Sequence, residues 1–229
     1  MGGLHKLVLS VLVAVSTLLA LPVSAFAFSD DFEDGNTEGW LQTIVAGGVG
    51  SCGVESHNGS QMGFCKQIGS GQQALSIDFT YSPAEILSFD MHAQSIPECS
   101  TGLCAHARSG IAVSFLTGLN IPLGTVGLYQ VTDLSWLPAN SYAIDDVQHN
   151  YNGTFASFAS LAGLDPANSA IAKLSIRFQA TASTSFFGSQ SLANVWFDNV
   201  NVPEPDTSAL VLAGLAVIAV AARRPRSVS

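Results

Sequence analysis

Apolar and polar residues alternate with a period of two along much of this chain. In residues 74–81, Leu75, Ile77 and Phe79 fall on one side and Ser76, Asp78 and Thr80 on the other. Residues 85–91 repeat the pattern with Leu87, Phe89 and Met91 against Ser88 and Asp90. Residues 111–115, 125–131 and 172–181 do the same, the last setting Leu174, Ile176 and Phe178 against Lys173, Ser175, Arg177 and Gln179. A helix needs a period of 3.6, so this pattern implies strands with one buried face. An early strand at 40–46, anchored by Trp40, and a last strand at 192–202 bring the expected count to seven to nine. Strands with one apolar side pair antiparallel and bury their faces against each other. The expected fold class is therefore all-β, an antiparallel β-sandwich of jelly-roll type. One short helix is expected at 155–164, where Phe158, Leu161 and Leu164 recur at spacings of three.

Two stretches interrupt the alternation. Residues 47–71 are rich in Gly, Ser and Asn, too glycine-rich for a helix and too rich in turn residues for a long strand. Residues 97–109 read as a loop. Each stretch holds two of the four cysteines, Cys52 and Cys65 in the first, Cys99 and Cys104 in the second. Three pairings are possible, and the local one, Cys52–Cys65 with Cys99–Cys104, closes the shortest loops and is favoured. No C-x-x-C is present, which argues against a structural zinc site or a thioredoxin-type pair.

The two ends differ from the middle. Residues 1–27 carry Lys6, an apolar run at 7–21, the breaker Pro22, and Ala25-Phe26-Ala27. That is the order of a cleaved secretory signal, here expected as a signal helix. Residues 208–222 form a second apolar run, preceded by Val202-Pro203-Glu204-Pro205 and followed by Arg223, Arg224 and Arg226. Arginines just beyond an apolar segment favour the cytoplasmic side of a membrane. Fifteen residues of helix span only about 22 Å, so the run is read as a short transmembrane helix and a transient anchor.

The VPEP motif, the apolar segment and the arginine pair, in that order, resemble the PEP-CTERM sorting signal. The resemblance implies recognition of Pro203, Glu204 and Pro205 by an exosortase-like membrane protease, with Arg223 and Arg224 as the cytoplasmic stop. It also implies a Gram-negative source that makes exopolysaccharide. The implied route is export, transient residence in the inner membrane, then the cell surface or extracellular matrix. The chain is thus divided into a signal peptide (1–27), a sandwich domain (28–202) and a sorting and anchoring tail (203–229).

The exported part holds fifteen acids against four bases, a formal charge of −11. Such a balance argues against nucleic-acid partners, which require basic patches. Its opening, residues 30–40, crowds Asp30, Asp31, Glu33, Asp34 and Glu38 into nine positions. Repelling carboxylates on a turning backbone suit Ca²⁺, a hard cation that takes six to eight oxygens. This opening, with its Gly-Trp at 39–40, and the closing Phe197-Asp198-Asn199-Val200 resemble galactose-binding-like jelly rolls, a group that includes many carbohydrate-binding modules. By that resemblance Glu33 and Asp198 are side-chain ligands of a structural Ca²⁺, completed by Asp31 or a carbonyl near Gly35.

Glycan binding requires aromatic platforms beside hydrogen-bonding groups. Trp136 and Tyr142 are the candidates, with His149, Asn150 and Tyr151 nearby in sequence. Catalytic signatures are absent from the sequence: there is no G-x-S-x-G and no H-E-x-x-H. Asp78 and Asp90 are the least poor carboxylate pair, on strands expected to be neighbours, and His92 and His106 are placed to approach across a hairpin. The reading is an exported, non-enzymatic surface or matrix protein. The alternatives are a calcium-stabilised carbohydrate-binding module for exopolysaccharide and a glycoside-active enzyme.

Overall fold

The period-two segments become the strands of two facing sheets. The computed structural model describes residues 28–45, 47–100, 103–185 and 188–202. The expected signal helix, transmembrane helix and sorting residues Pro203, Glu204, Pro205, Arg223 and Arg224 lie outside these. Among the described residues no helix is long and apolar enough to cross a membrane.

In chain order the strands are β1 (Phe28–Asp30), β2 (Leu41–Val45), β3 (Val49–His57), β4 (Ser60–Ile68), β5 (Gly71–Thr80), β6 (Ile86–Ile96) and β7 (Glu98–Ser100). They continue as β8 (Leu103–Ala105), β9 (Ala107–Leu116), β10 (Pro122–Val131), β11 (Ser141–Ala143) and β12 (Gln148–Thr154). Helix α1 (Phe155–Leu161) precedes β13 (Lys173–Ala182) and β14 (Leu192–Val202). The first sheet has the order β12-β6-β14-β4-β3, with β1 added against β14; the second has the order β11-β10-β9-β13-β5-β2. Every pairing within them is antiparallel except β10 with β11. The fold is an all-β sandwich, as the alternation requires.

The core lies between the sheets. Phe178 of β13 stacks on Phe197 of β14, with ring centroids 3.9 Å apart. Trp40 and Phe32 close around Phe197 at 5.3 and 5.2 Å. The Trp40 indole N–H donates to Asp30 at 2.7 Å, so the one polar atom of this buried ring is satisfied. Helix α1 caps one end of the core. The Thr154 hydroxyl accepts from the Ser157 amide at 3.1 Å, and Phe155, Phe158 and Ala159 are buried.

Three expectations are corrected. Residues 47–71 hold two nine-residue strands, β3 and β4, paired in register as a hairpin. Asn58 and Gly59, both left-handed at φ 52° and 91°, make its turn. Gly63, which reads as a turn residue, is a packing residue: a Cβ there would lie 2.6 Å from the Phe197 ring and 2.9 Å from Phe32. Residues 97–109 hold the small β7–β8 hairpin and the start of β9 rather than a loop. Finally, the chain changes sheets between β5 and β6, so Asp78 and Asp90 belong to different sheets and are not neighbours.

Candidate functional site

Both cysteine pairs close as the local reading favoured, Cys52 with Cys65 across β3–β4 and Cys99 with Cys104 across β7–β8. The four cysteines are thereby structural, and none of them is a free thiol.

The acidic opening divides. Most of its side chains fold back on their own backbone. Asp30 accepts from the Phe32 amide, Asp31 from Glu33, Asp34 from Asn36, and the Asn36 side chain from Glu38. Glu33 turns outward. Its carboxylate accepts from the Ser60 hydroxyl at 2.9 Å, and the same hydroxyl oxygen lies 3.2 Å from Asp198. A hydroxyl has one proton, so Ser60 satisfies only one of the two carboxylates at a time. Burial pushes the Asp198 carboxyl above the usual carboxylate range, and the charges of Asp90 and Glu33 add to this against its hydrogen bonds to Asn199 and Ser60. Glu33 and Asp198, residues from opposite ends of the domain, are thus brought together, with Ser60 between them. Asp31 faces its own turn instead. Two carboxylates and a hydroxyl suit a hard cation chemically. Among the described residues no group of three or more acidic, His or Cys side chains is placed to hold a metal ion, so any cation here would draw the rest of its shell from other oxygens.

Asp198 continues into the outer face of the first sheet. Asp90 lies opposite Asp198 and accepts from Asn199 and Asn150 at 2.7 and 2.8 Å. Next along the face, His57 stacks on Trp196 at 4.0 Å and shares a 2.8 Å hydrogen bond with His92. His92 in turn meets Asp146 at 2.8 Å, and the Trp196 indole donates to Glu55. His92 therefore pairs with His57 and not with His106, which stands 3.8 Å from Asp133. Burial and the neighbouring His92 hold the His57 pKa below its ordinary value, against the pull of Glu55.

The outer face of the second sheet has the opposite charge character. Its six strands carry one acid, Asp78, and three bases, Arg108, Lys173 and Arg177. The register sets Arg108 beside Thr181, and Gly110 between Tyr129 and Gln179. The Arg108 guanidinium lies 5.6 Å from the Tyr129 ring centre, and Gln179 donates to the Tyr129 hydroxyl and accepts from Gln72. Burial pushes the Tyr129 hydroxyl pKa up, partly offset by the two arginines and Gln179. Trp136 sits in a 3-10 turn, Leu134–Trp136, started by Asp133 accepting from the Ser135 amide at 2.8 Å. Its carbonyl accepts from Arg108 at 3.2 Å. Trp136, Arg108, Thr181, Ser135, Leu137 and Pro138 line an open hollow of about 420 Å³.

Tyr142 does not join Trp136. It lies on β11 opposite Leu128, on the other side of the sheet from Tyr129, and is half exposed. His149 pairs with Asp145, and Tyr151 stacks on Phe89 at 4.9 Å. Sequence reasoning missed Arg108 and Arg177. Arg177 stood in an alternating strand pattern with no acids, whereas Arg108 fell in the stretch read as a loop.

β14 ends at Val202, and the next residues are Pro203-Glu204-Pro205, the apolar run and the arginines. Residues 201–226 match the family model of the PEP-CTERM protein-sorting motif. This chain carries that sorting motif. By sequence, no protein of curated function matches it. Among solved structures, the sandwich is similar to one described for the promiscuous specificity of carbohydrate-binding modules of the β-sandwich superfamily. That likeness has 13% identity and a TM-score of 0.43, covering 76% of this chain and 61% of the other. It is also similar to the family 11 carbohydrate-binding module of cellulase Lic26A-Cel5E of Clostridium thermocellum, at 16% identity and TM-score 0.42, covering 80% and 96%. A third likeness is to the CBM22-1 xylan-binding domain of Paenibacillus barcinonensis Xyn10C, at 11% identity and TM-score 0.40, covering 79% and 96%. The chain thus spans less than two thirds of the first of these and nearly all of the other two.

Proposed function

We propose that this is an exported, non-catalytic surface or matrix protein that binds carbohydrate through the outer face of its second sheet, and that an exosortase-like protease processes its tail. The observation that carries the binding reading is the hollow beside Trp136. An aromatic ring there adjoins the Arg108 guanidinium and the hydroxyls of Ser135 and Thr181. An aromatic face with hydrogen-bonding groups in a shallow groove suits a sugar ring better than an apolar ligand. Asp78 and Asp90, the least poor carboxylate pair for glycoside chemistry, fall on different sheets, which lends the enzyme alternative no support. The PEP-CTERM match supports processing of the tail and passage to the cell surface.

The test is a panel of soluble oligosaccharides presented to the full-length protein in mild detergent, with Trp136→Ala alongside. Binding that falls at least about tenfold in the variant supports the reading; binding unaffected by Trp136 places the site elsewhere. Intact mass of the native protein tests the tail, and a species still ending at Ser229 refutes processing.

A structural Ca²⁺ belongs to the same proposal. Glu33 and Asp198 would hold it with the Ser60 hydroxyl, backbone carbonyls and water, joining the first loop to the last strand. Its contribution is charge neutralisation, and no binding step depends on it.

A further inference from the structure

The two arginines of the described residues lie on one face of one sheet, in a domain with a large acidic excess. Fifteen acids are available to pair with four bases. Yet the ion pairs found among the described residues all involve histidine, and neither Arg108 nor Arg177 has a carboxylate partner. The Nε atoms of both are buried and make no hydrogen bond within the protein, as is also true of the Thr181 hydroxyl oxygen beside Arg108. Asp78, the one acid on these strands, lies opposite Ser175, exposed, and forms no ion pair with Arg177. Asp133, two residues before Ser135 of the hollow's lining, is engaged by the Ser135 amide and His106. A half-buried guanidinium without a counter-charge is costly, and evenly dispersed acids would relieve it. Here the strands of this sheet carry one acid, Asp78, and the others lie in loops or on other strands.

We propose that this face recognises a carboxylated polysaccharide, a polymer of uronic acids, with Arg108 and Arg177 receiving carboxylates from separate sugars of one chain and Trp136 stacking on a sugar ring. The proposal rests on the glycan-binding reading above and names its ligand class. Planar guanidinium pairs bidentately with carboxylate, which a neutral hydroxyl cannot reproduce. Arg177 stands opposite Ala112 and Thr181 opposite Arg108, so the two arginines start four residues apart along β13, about 13 Å at the backbone. A single sugar does not span that distance; an oligosaccharide does. Tyr129 lies between them, its hydroxyl fixed by Gln179. Burial lowers the Arg177 pKa, with Tyr129 opposing the shift and Arg108 adding to it. The remaining acids do not forbid an anionic ligand. At physiological ionic strength charges are screened beyond about 8 Å, so the local arginines decide. Trp136 favours a sugar, whose ring presents a face to stack, over an acidic peptide, which offers none.

The test compares full-length protein, in mild detergent with a chelator to exclude cation bridging, against oligogalacturonate and its methyl ester. The free acid is expected to bind at least about tenfold more tightly than the ester. Arg108→Gln and Arg177→Gln should each lose about tenfold toward the acid and less than about twofold toward the ester. Arg108→Lys should fall between, since it keeps charge but not the fork. Thermal melting of each variant confirms that the sandwich is intact. Equal binding of acid and ester overturns the carboxylate proposal and leaves glycan binding standing. Binding of neither, nor of oligomannuronate, overturns both. Polyglutamate bound as tightly as oligogalacturonate shows that charge alone is read and overturns the assignment to sugar.

Discussion

The two outer faces of this sandwich come from the same strand chemistry and are opposite in character. The strands of the first sheet carry Asp30, Glu55, Asp90 and Asp198 with Lys66 as their one base, while those of the second carry Asp78 against Arg108, Lys173 and Arg177. On the first face the polar groups satisfy one another: Asp198 and Glu33 through Ser60, Asp90 through two asparagines, His57 through His92 to Asp146. On the second, the arginines are left partly unpaired. A face that is internally satisfied holds structure, and the uncompensated charge of the other is what supports the ligand-binding proposal. Segregating the charges also keeps the acids from neutralising the arginines.

Both faces rest on one core, and the largest effect expected is loss of both together. Phe197 stacks on Phe178 and touches Phe32 and Trp40. Phe197→Ala should cost about 3–5 kcal/mol. Urea melts followed by Trp196 fluorescence on one face and ligand binding on the other should shift in parallel. Independent shifts would show that the sheets unfold separately.

The disulfides come next. Cys52–Cys65 closes a separation of 13 residues within the first sheet, and Cys99–Cys104 one of 5 in an outlying hairpin. Chain entropy gives about 3 kcal/mol for the first and about 2 for the second. Paired Cys→Ala variants should follow that order in denaturant midpoint. The first should loosen only the first sheet in hydrogen exchange. An equal or reversed order would mean that strain or residual unfolded-state structure outweighs loop closure.

How much of this was legible in the sequence follows from what period two can encode. Alternation identified the buried faces of β5, β6, β9, β10 and β13, and with them the fold class, because burial on one face needs no partner identity. It failed at β4, where Gly63 stands at a core position that the Phe197 ring already fills. A packing glycine is indistinguishable from a turn glycine until its neighbour is known. The acidic opening and Asp198 were legible as a pair through their resemblance to jelly-roll ends. Trp136 was legible as an aromatic, but its hollow depends on Arg108 and Thr181, two strands brought together by register. His57 and His92 are 35 residues apart and meet only because β6 and β3 share a sheet.

A smaller effect is expected at the acidic end of the first face. The raised pKa of Asp198 means that the folded state binds the proton more tightly than the unfolded chain. Its contribution is favourable below the unfolded value and is lost as pH rises through the folded one. Near neutral pH in chelator, Asp198→Asn should therefore raise Tm, by about 2–4 °C if the relief is about 1 kcal/mol. The same variant should abolish any Tm gain on adding Ca²⁺. A Tm gain on Ca²⁺ addition that survives the substitution would place the cation elsewhere.

The smallest effect separates the faces by pH. The lowered pKa of His57 means that the unfolded chain takes up a proton first as pH falls below about 6.5. The stability contributed by neutral His57 is complete above that value and is lost as pH falls toward the folded pKa. Protonation of His57 is opposed by burial and by the neighbouring His92, while Glu55 limits the penalty. Since His57 stacks on Trp196, the fluorescence of that indole should change over the same range, and His57→Gln should flatten the change. If the second face binds a uronate through its guanidinium groups as proposed, affinity should hold between pH 7 and 6 while the Trp196 signal moves. A parallel fall in affinity would mean that the two faces are coupled through the core they share.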